Sequence, residues 1–365
     1  MARTLKSDRV LFLATILLVG LSVIMVYSAS AVVALERYQR PYFFLMKQAM
    51  WAALGVAVLG LIMRIDYRHY RTPTFVWASF LVSALLLTAV LFSPPVNNAR
   101  RWFSIGSLGV QPSELAKLSA IFFIAALLER RMHRINELGY SLLPISLVVL
   151  CFVGLILLEP DFGTSMSLVL IATVMIFAAG LNYRYIVGAA LVALPAITVL
   201  AMSASYRRRR LLSFLNPWED PLGNGFQIIQ SLIAVGTGGV WGRGLMKGVQ
   251  KLFYLPEPHT DFIYSVISEE LGLVGATLVL ACFCVIAWRG LRVALRAPDS
   301  FGAFLALGLT TMIAVQALVN ISVVLGLMPT KGIPLPFVSA GGSSLLINLL
   351  GMGILLNVSQ HSSSA

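Results

Sequence analysis

The side chains that could do chemistry in this chain are ionisable groups placed where polar loops meet long apolar segments. Asp261 is one of them, and the loop before it contains Pro256 and Pro258, which disfavour a helix there. If the next segment is helical, a polar face descends from Asp261 through Ser265, Ser268, Gly272 and Gly275. This face predicts either an acid above a cavity or only a capping aspartate above a helix-packing surface.

A second group of charges lies in the string QPSELAK, where Pro112 is a good first residue for a helix. Glu114 and Lys117 are three residues apart, so they lie on the same face and could form an ion pair. Ionisable groups in membrane spans usually face a cavity or a pathway, which is the alternative to a simple intrahelical pair. Two more carboxylates, Glu159 and Asp161, flank a proline between apolar segments and could be helix-end caps.

A glycine-rich stretch between Gly236 and Gly244 is followed by basic residues, which are Arg243, Lys247 and Lys251. The stretch is not a Walker or Rossmann fingerprint, because no strand precedes it. Its glycines are explained either by flexibility alone or by close approach to another group. Together with the nearby cations they favour a phosphate-bearing head group as that partner. The string Gly341-Gly342-Ser343-Ser344 predicts exposed helix-start amides, which also bind anions.

The elements that must position these residues are membrane helices. The chain has 365 residues, of which 58% are hydrophobic and 12% charged, too few polar residues to cover a water-soluble domain. The net charge of +12 is spread over short loops and is explained by orientation in a bilayer and by anionic lipid, so nucleic-acid binding is excluded. Three cysteines in apolar segments and four scattered histidines argue against a disulfide framework and a His/Cys metal cluster.

The pattern predicts an all-α, polytopic membrane protein with ten spans, each long enough to cross about 30 Å of hydrocarbon. The predicted spans are 10–34, 42–63, 73–92, 112–128, 141–158, 164–181, 185–203, 262–288, 301–325 and 336–357. Basic residues are concentrated in one set of short loops, which places both termini in the cytoplasm and the long loop 204–261 outside. Residues 1–358 are predicted to be a single integral-membrane domain, and 359–365 a polar tail.

Four strings in this order resemble the shape, elongation, division and sporulation (SEDS) family of peptidoglycan polymerases. They are QPSELAK, NPWEDPLGNGFQIIQSL, YLPEPHTDFI with SEELG, and GIPLPFVSAGGSS, and the resemblance covers nearly the whole chain. The short N-terminal tail is more similar to the RodA branch of the family than to the FtsW branch. The resemblance implies polymerisation of lipid II on the outer face of the bacterial cytoplasmic membrane. It also implies a class B penicillin-binding protein as the transpeptidase partner.

The resemblance further implies that Asp261, the aspartate of HTDF, is the essential catalytic residue, and that Glu114 and Lys117 are cavity residues. This agrees with the chemistry, because a sugar hydroxyl attacking an anomeric carbon needs a carboxylate to accept its proton. The lipid pyrophosphate that leaves needs cations or helix-end amides. The remaining expected substrate-binding residues are Arg101, Arg207, Arg208, Arg243, His259, Lys331 and Ser343. No cofactor is demanded, although magnesium or manganese held by Asp261 or Glu114 would suit the pyrophosphate.

Two alternatives to an enzyme stay open. A flippase for lipid-linked oligosaccharide would also need intramembrane charge, but it predicts polar groups that continue to the cytoplasmic half. In this sequence most of the acids lie near the predicted external end, and Glu269 is the deepest exception. A scaffold for a cell-wall synthase predicts that substitution of Asp261 is tolerated.

Overall fold

The described part of the chain is mostly helical. The structure is a computed structural model that describes residues 7–95, 99–105, 108–203, 208, 213–223, 225–330 and 332–362. Its α-helices are α1 (Arg9–Tyr38), α2 (Phe43–Ile62), α3 (Pro73–Val90), α4 (Pro112–Arg131), α5 (Leu143–Leu158), α6 (Phe162–Ala178), α7 (Tyr183–Ser203), α8 (Phe226–Thr237), α9 (Ile263–Leu295), α10 (Ser300–Val324) and α11 (Gly342–Ser362).

Each of the ten predicted spans overlaps one of these helices, and α8 is the short helix of the long loop. Within the described residues, seven helical segments are long and apolar enough to cross a membrane. They are α1, α2, α3, Leu138–Leu158, which contains α5, and α9, α10 and α11. The helical fold is therefore confirmed, and the count of ten spans stays a prediction.

The interior of the bundle is formed by α4, α10 and α11. Helix α4 packs against α3, α5, α6, α10 and α11, and residues on all of its faces are buried, including Ala116, Ile121 and Phe122. A helix that is apolar on every side belongs in the interior of a protein. Because α4 also carries Glu114 and Lys117, this packing takes two charges into the bundle.

The loop between α3 and α4 contains a small hairpin that the all-α prediction missed. Strand β1 (Phe103–Ile105) pairs antiparallel with β2 (Leu108–Val110), with Phe103 opposite Val110 and Ile105 opposite Leu108. Three-residue strands carry little periodic signal, which is why the sequence pattern did not predict them. The hairpin leads directly into the start of α4.

Helix α9 is broken at Gly272, and the glycine-rich stretch packs onto the break. Gly272 has φ 66° and ψ −163°, a conformation that residues with a side chain rarely adopt. Across the break, the Leu273 amide donates to the Gly239 carbonyl over 2.9 Å. A Cβ on Gly242 would lie 2.1 Å from the Glu270 carbonyl oxygen, so only glycine permits this backbone approach. The close partner of these glycines is therefore the backbone of α9.

Two fully buried glutamates hold the rest of this loop. Glu269 accepts a hydrogen bond from the Val249 amide over 2.8 Å, and Glu270 accepts one from the Met246 amide over 2.9 Å. Lys251 is buried and forms an ion pair with Glu270. Lys251 was predicted to be one of the cations that favour a phosphate-bearing group, but in the structure its charge neutralises a buried acid.

We expect Gly242→Ala to destabilise the protein by at least about 2 kcal/mol, because a side chain at this positive φ would overlap the α9 backbone. Thermal unfolding in detergent measures the effect. Gly20→Ala in α1 is the matched control, since nothing lies within 4 Å of its Cβ position. Equal unfolding temperatures for the two variants would contradict the packing described for the glycine-rich stretch.

Candidate active site

Asp261 lies at a junction between the end of the long loop and the last loop of the chain. It comes two residues before α9 begins, and its side chain is partly buried. Gly332 approaches the carboxylate so closely that a Cβ there would lie 3.0 Å from Asp261 Oδ2. A glycine in this position therefore leaves room beside the acid.

Hydrogen bonds join the two loops along their length. Ser339 Oγ donates to the Thr260 carbonyl over 2.6 Å, and the Ala340 amide donates to the His259 carbonyl over 2.9 Å. From α10, Asn320 Nδ2 donates to the carbonyls of Asp261 and Ile333, both over 2.8 Å. The backbone around Asp261 is thus held by three separate side-chain or main-chain connections.

Glu114 and Lys117 form an ion pair inside the bundle. Lys117 Nζ lies 2.8 Å from Glu114 Oε1, and the two side chains are 1% and 2% exposed. Ser344 Oγ at the start of α11 is 3.4 Å from Glu114 Oε2, and Asn348 Nδ2 donates to Ser344 Oγ over 3.2 Å. The intrahelical pair is present, and it adjoins the N-terminus of α11, where amides and the helix dipole favour an anion.

Gln111 links three elements next to this pair. Its main-chain N–H donates to Ser343 Oγ in α11 over 3.1 Å, and its side-chain Nε2 donates to Asp161 Oδ2, also over 3.1 Å. Asp161 caps α6 by accepting from the Thr164 amide over 3.1 Å. The capping explanation therefore holds for Asp161, and Ser343 is bound to the entrance of α4. Gln111 opens the QPSELAK string, but an uncharged residue outside the predicted helix carries no signal in the sequence that would predict this role.

Glu159 and Arg101 occupy the turn between α5 and α6. Arg101 donates from Nε to the Glu159 carbonyl over 3.2 Å and from Nη2 to the Pro160 carbonyl over 3.0 Å. The Glu159 carboxylate is fully buried, and neither oxygen has a hydrogen-bond partner among the described residues. Burial and, to a smaller extent, the neighbouring charge of Asp161 raise the pKa of Glu159 to about 8, against the opposing effect of the Arg101 charge.

Among the other expected substrate-binding residues, the described ones, His259, Arg243 and Arg208, have separate surroundings. The His259 ring packs against Phe44 of α2 with ring centroids 4.6 Å apart, and burial lowers its pKa, so the imidazole is neutral at pH 7. Arg243 Nη1 lies 3.8 Å from Glu269 Oε1, and Arg208 is exposed. Arg207 and Lys331 lie outside the described residues.

Metal binding was left open by the sequence. In the ranges that the structure describes, no three His, Cys, Asp or Glu side chains come together as a metal site. A magnesium or manganese ion at Asp261 or Glu114 stays a prediction.

Comparison with known proteins matches residues 8–364 to the family described as cell cycle proteins, which includes FtsW, RodA and SpoVE. A probable peptidoglycan glycosyltransferase FtsW of Geobacter sulfurreducens is 45% identical over 359 residues, covering 97% of this chain and 95% of the relative. Stage V sporulation protein E of Bacillus subtilis is also 45% identical, over 360 residues and 97% of each chain.

Two solved structures are similar over the whole length. A chain of a peptidoglycan synthase complex that coordinates polymerization and crosslinking has a TM-score of 0.81 and 33% identity, covering 99% of this chain and 100% of that one. The crystal structure of Thermus thermophilus rod shape determining protein RodA has a TM-score of 0.73 and 28% identity, covering 99% of each chain. The similar proteins thus come from several branches of one family, and the preference for the RodA branch stays a prediction.

We expect Lys117→Met to destabilise the protein by about 3–5 kcal/mol, because it leaves the Glu114 carboxylate buried without its partner. Adding Glu114→Gln removes the unpaired charge, so the double variant should regain most of the lost stability. Thermal unfolding of both variants measures this. A double variant as unstable as Lys117→Met alone would show that the pair is not electrostatically coupled.

The raised pKa of Glu159 predicts that the free energy of unfolding depends on pH. Its native pKa of about 8 lies above the ordinary value of 4.5, so the native state holds the proton more tightly than the unfolded state. The resulting stabilisation is complete below pH 4.5 and is lost as the pH rises through about 8. We expect Glu159→Gln to raise the unfolding temperature by about 2–5 °C at pH 8.5 and by much less at pH 5. The same increase at both pH values would contradict the assignment.

Proposed function

The chain belongs to the SEDS family of FtsW, RodA and SpoVE proteins, and we propose that it polymerises lipid II on the outer face of the bacterial cytoplasmic membrane. It is a glycosyltransferase of this family. The product of the proposed reaction is a peptidoglycan glycan strand, and the leaving group is the lipid pyrophosphate.

The observation that carries the proposal is the setting of Asp261. Its backbone is held by α10 and by the last loop, and Gly332 leaves space beside its carboxylate. In the proposed reaction the 4-hydroxyl of the acceptor sugar attacks the anomeric carbon of the donor. Asp261 accepts the hydroxyl proton as the new glycosidic bond forms and the bond to the pyrophosphate breaks. A carboxylate on a held backbone suits this role, because general-base catalysis depends first on geometry.

The charge of the departing pyrophosphate needs a positive environment. We propose that the N-terminus of α11, with Ser343, and the Lys117 ammonium supply it from the interior side. Arg101 would contribute its remaining donors, because two of them already bind the turn between α5 and α6. The other proposed substrate-binding residues are the cations Arg207, Arg208, Arg243 and Lys331, together with Glu114 and His259. A divalent cation bound through Asp261 or Glu114 would assist the same leaving group.

The proposed topology has ten spans, cytoplasmic termini and an external loop over 204–261, all within one domain covering 1–358. This topology puts Asp261 on the face where lipid II head groups are presented. We further propose a role in cell elongation and a class B penicillin-binding protein as partner. The similarity to a chain of a peptidoglycan synthase complex supports a partnership of this kind.

The buried acids support a polymerase over a flippase. A flippase needs polar groups that continue across the bilayer, and Glu269 and the adjacent Glu270 in α9 are the deepest acids in the predicted topology. Both are instead bonded to main-chain amides of the loop, at Val249 and Met246. Their charges are therefore used to hold the loop.

The test uses purified full-length protein in detergent with lipid II, with and without its transpeptidase partner. We expect the wild type to make glycan chains and Asp261→Asn to lose at least about 100-fold in rate, because the amide cannot accept the proton. Asp299→Asn is the matched control. This aspartate caps α10 and bonds to Tyr67, so its loss should affect stability more than turnover.

If the wild type makes no glycan either with or without its partner, the proposed polymerase activity is contradicted and a scaffold role is favoured. Transfer of lipid II across vesicles without polymerisation would favour a flippase. Full activity of Asp261→Asn would show that Asp261 is not the general base, although the protein would still be a polymerase.

A further inference from the structure

Asn320 is a buried amide whose nitrogen bonds to two backbone segments at the candidate active site. It lies near the end of α10, and the side chain is 1% exposed. Nδ2 donates one hydrogen bond to the Asp261 carbonyl and one to the Ile333 carbonyl, each over 2.8 Å. A carbonyl oxygen can only accept a hydrogen bond, so the amide nitrogen must face the two carbonyls. The flipped orientation would place the amide oxygen against two other oxygens.

The two bonded carbonyls belong to two backbone segments beside the Asp261 carboxylate, one at Asp261 and the other at Gly332 and Ile333, which form the walls around it. One is the carbonyl of Asp261 itself, and the other follows directly after Gly332, the residue beside Asp261 Oδ2. Within the described residues of these loops, further hydrogen bonds act at Thr260 and His259, on the N-terminal side of Asp261. Asn320 therefore sets the separation between the acid and the backbone opposite it.

A polar residue in an apolar helix commonly serves to pack against neighbouring helices. A packing role would be fulfilled by bonds to side chains or to a helix backbone. Asn320 instead donates both hydrogen bonds to carbonyls of loop residues, which have no hydrogen-bond partner within a helix. Removing the amide would leave the buried Ile333 carbonyl and the partly buried Asp261 carbonyl without this donor, so the two segments would move apart or admit water.

We infer that Asn320 is a positioning residue for Asp261, which fixes the acid against the wall formed by Gly332 and Ile333. The inference rests on the proposed function of Asp261 as general base. Asn320 does not touch the reacting atoms, so its contribution is to the geometry in which the acceptor hydroxyl meets the carboxylate. Its loss should lower kcat and leave the KM for lipid II nearly unchanged.

The experiment compares Asn320→Leu with Asn357→Leu in the full-length protein. Asn357 is the matched control because it is 2% exposed and also joins a helix to a loop. Its Nδ2 donates to the Met63 carbonyl over 2.9 Å, and its Oδ1 accepts from the Tyr67 amide over the same distance. It belongs to α11, at the end opposite Ser343.

Polymerisation of lipid II is measured per folded molecule, with unfolding temperature recorded for each variant. We expect Asn320→Leu to lower kcat by about 10- to 100-fold with KM within about 2-fold of the wild type. Asn357→Leu should lose stability but keep the wild-type kcat. Asn320→Ser keeps one donor, should give an intermediate kcat, and decides the question if Asn320→Leu does not fold.

A wild-type kcat in folded Asn320→Leu or Asn320→Ser would overturn the positioning role. The same decrease in kcat for Asn357→Leu would overturn it too, because the effect would then be a general one on stability. These outcomes differ from failure of the proposed function, in which the wild type makes no glycan or Asp261→Asn retains full activity.

Discussion

The structure depends on the need to pair every charge and every backbone group that is buried away from water. Glu269 and Glu270 lie in α9 with no exposed surface, and they would be costly there without partners. The loop supplies these partners through the Met246 and Val249 amides and the Lys251 ammonium. The glycine-rich loop is therefore folded onto α9, and the break at Gly272 gives its backbone a place to bind.

The same requirement shapes the candidate active site a short distance along the chain. Asp261 precedes α9, so the loop that is folded onto α9 helps to position the acid. Asn320 and Ser339 then hold the backbone at the Asp261 and Thr260 carbonyls. On the other side, the buried pair of Glu114 and Lys117 adjoins the start of α11. A carboxylate on a held backbone and a cation near a helix N-terminus are complementary parts of a transfer from a pyrophosphate donor.

The sequence predicted the helices and the family correctly because hydrophobic length and long motifs are strong local signals. The proximity of Glu114 and Lys117 was also predictable from helical spacing. The break at Gly272 was not, because a glycine within an apolar segment has the same pattern in a straight helix. The burial of Lys251 and the bonds of Asn320 depend on which segments meet in space, and a single sequence carries no record of that.

The central claim is that the acceptor sugar hydroxyl is the nucleophile that Asp261 activates. The most direct measurement uses lipid II whose 4-hydroxyl is capped, and records release of polyprenyl pyrophosphate by the wild-type protein. The account predicts no release from the capped substrate, because the attacking hydroxyl is missing, and normal release from unmodified lipid II. Release from the capped substrate at an undiminished rate would mean that another nucleophile attacks the donor, and it would contradict the account.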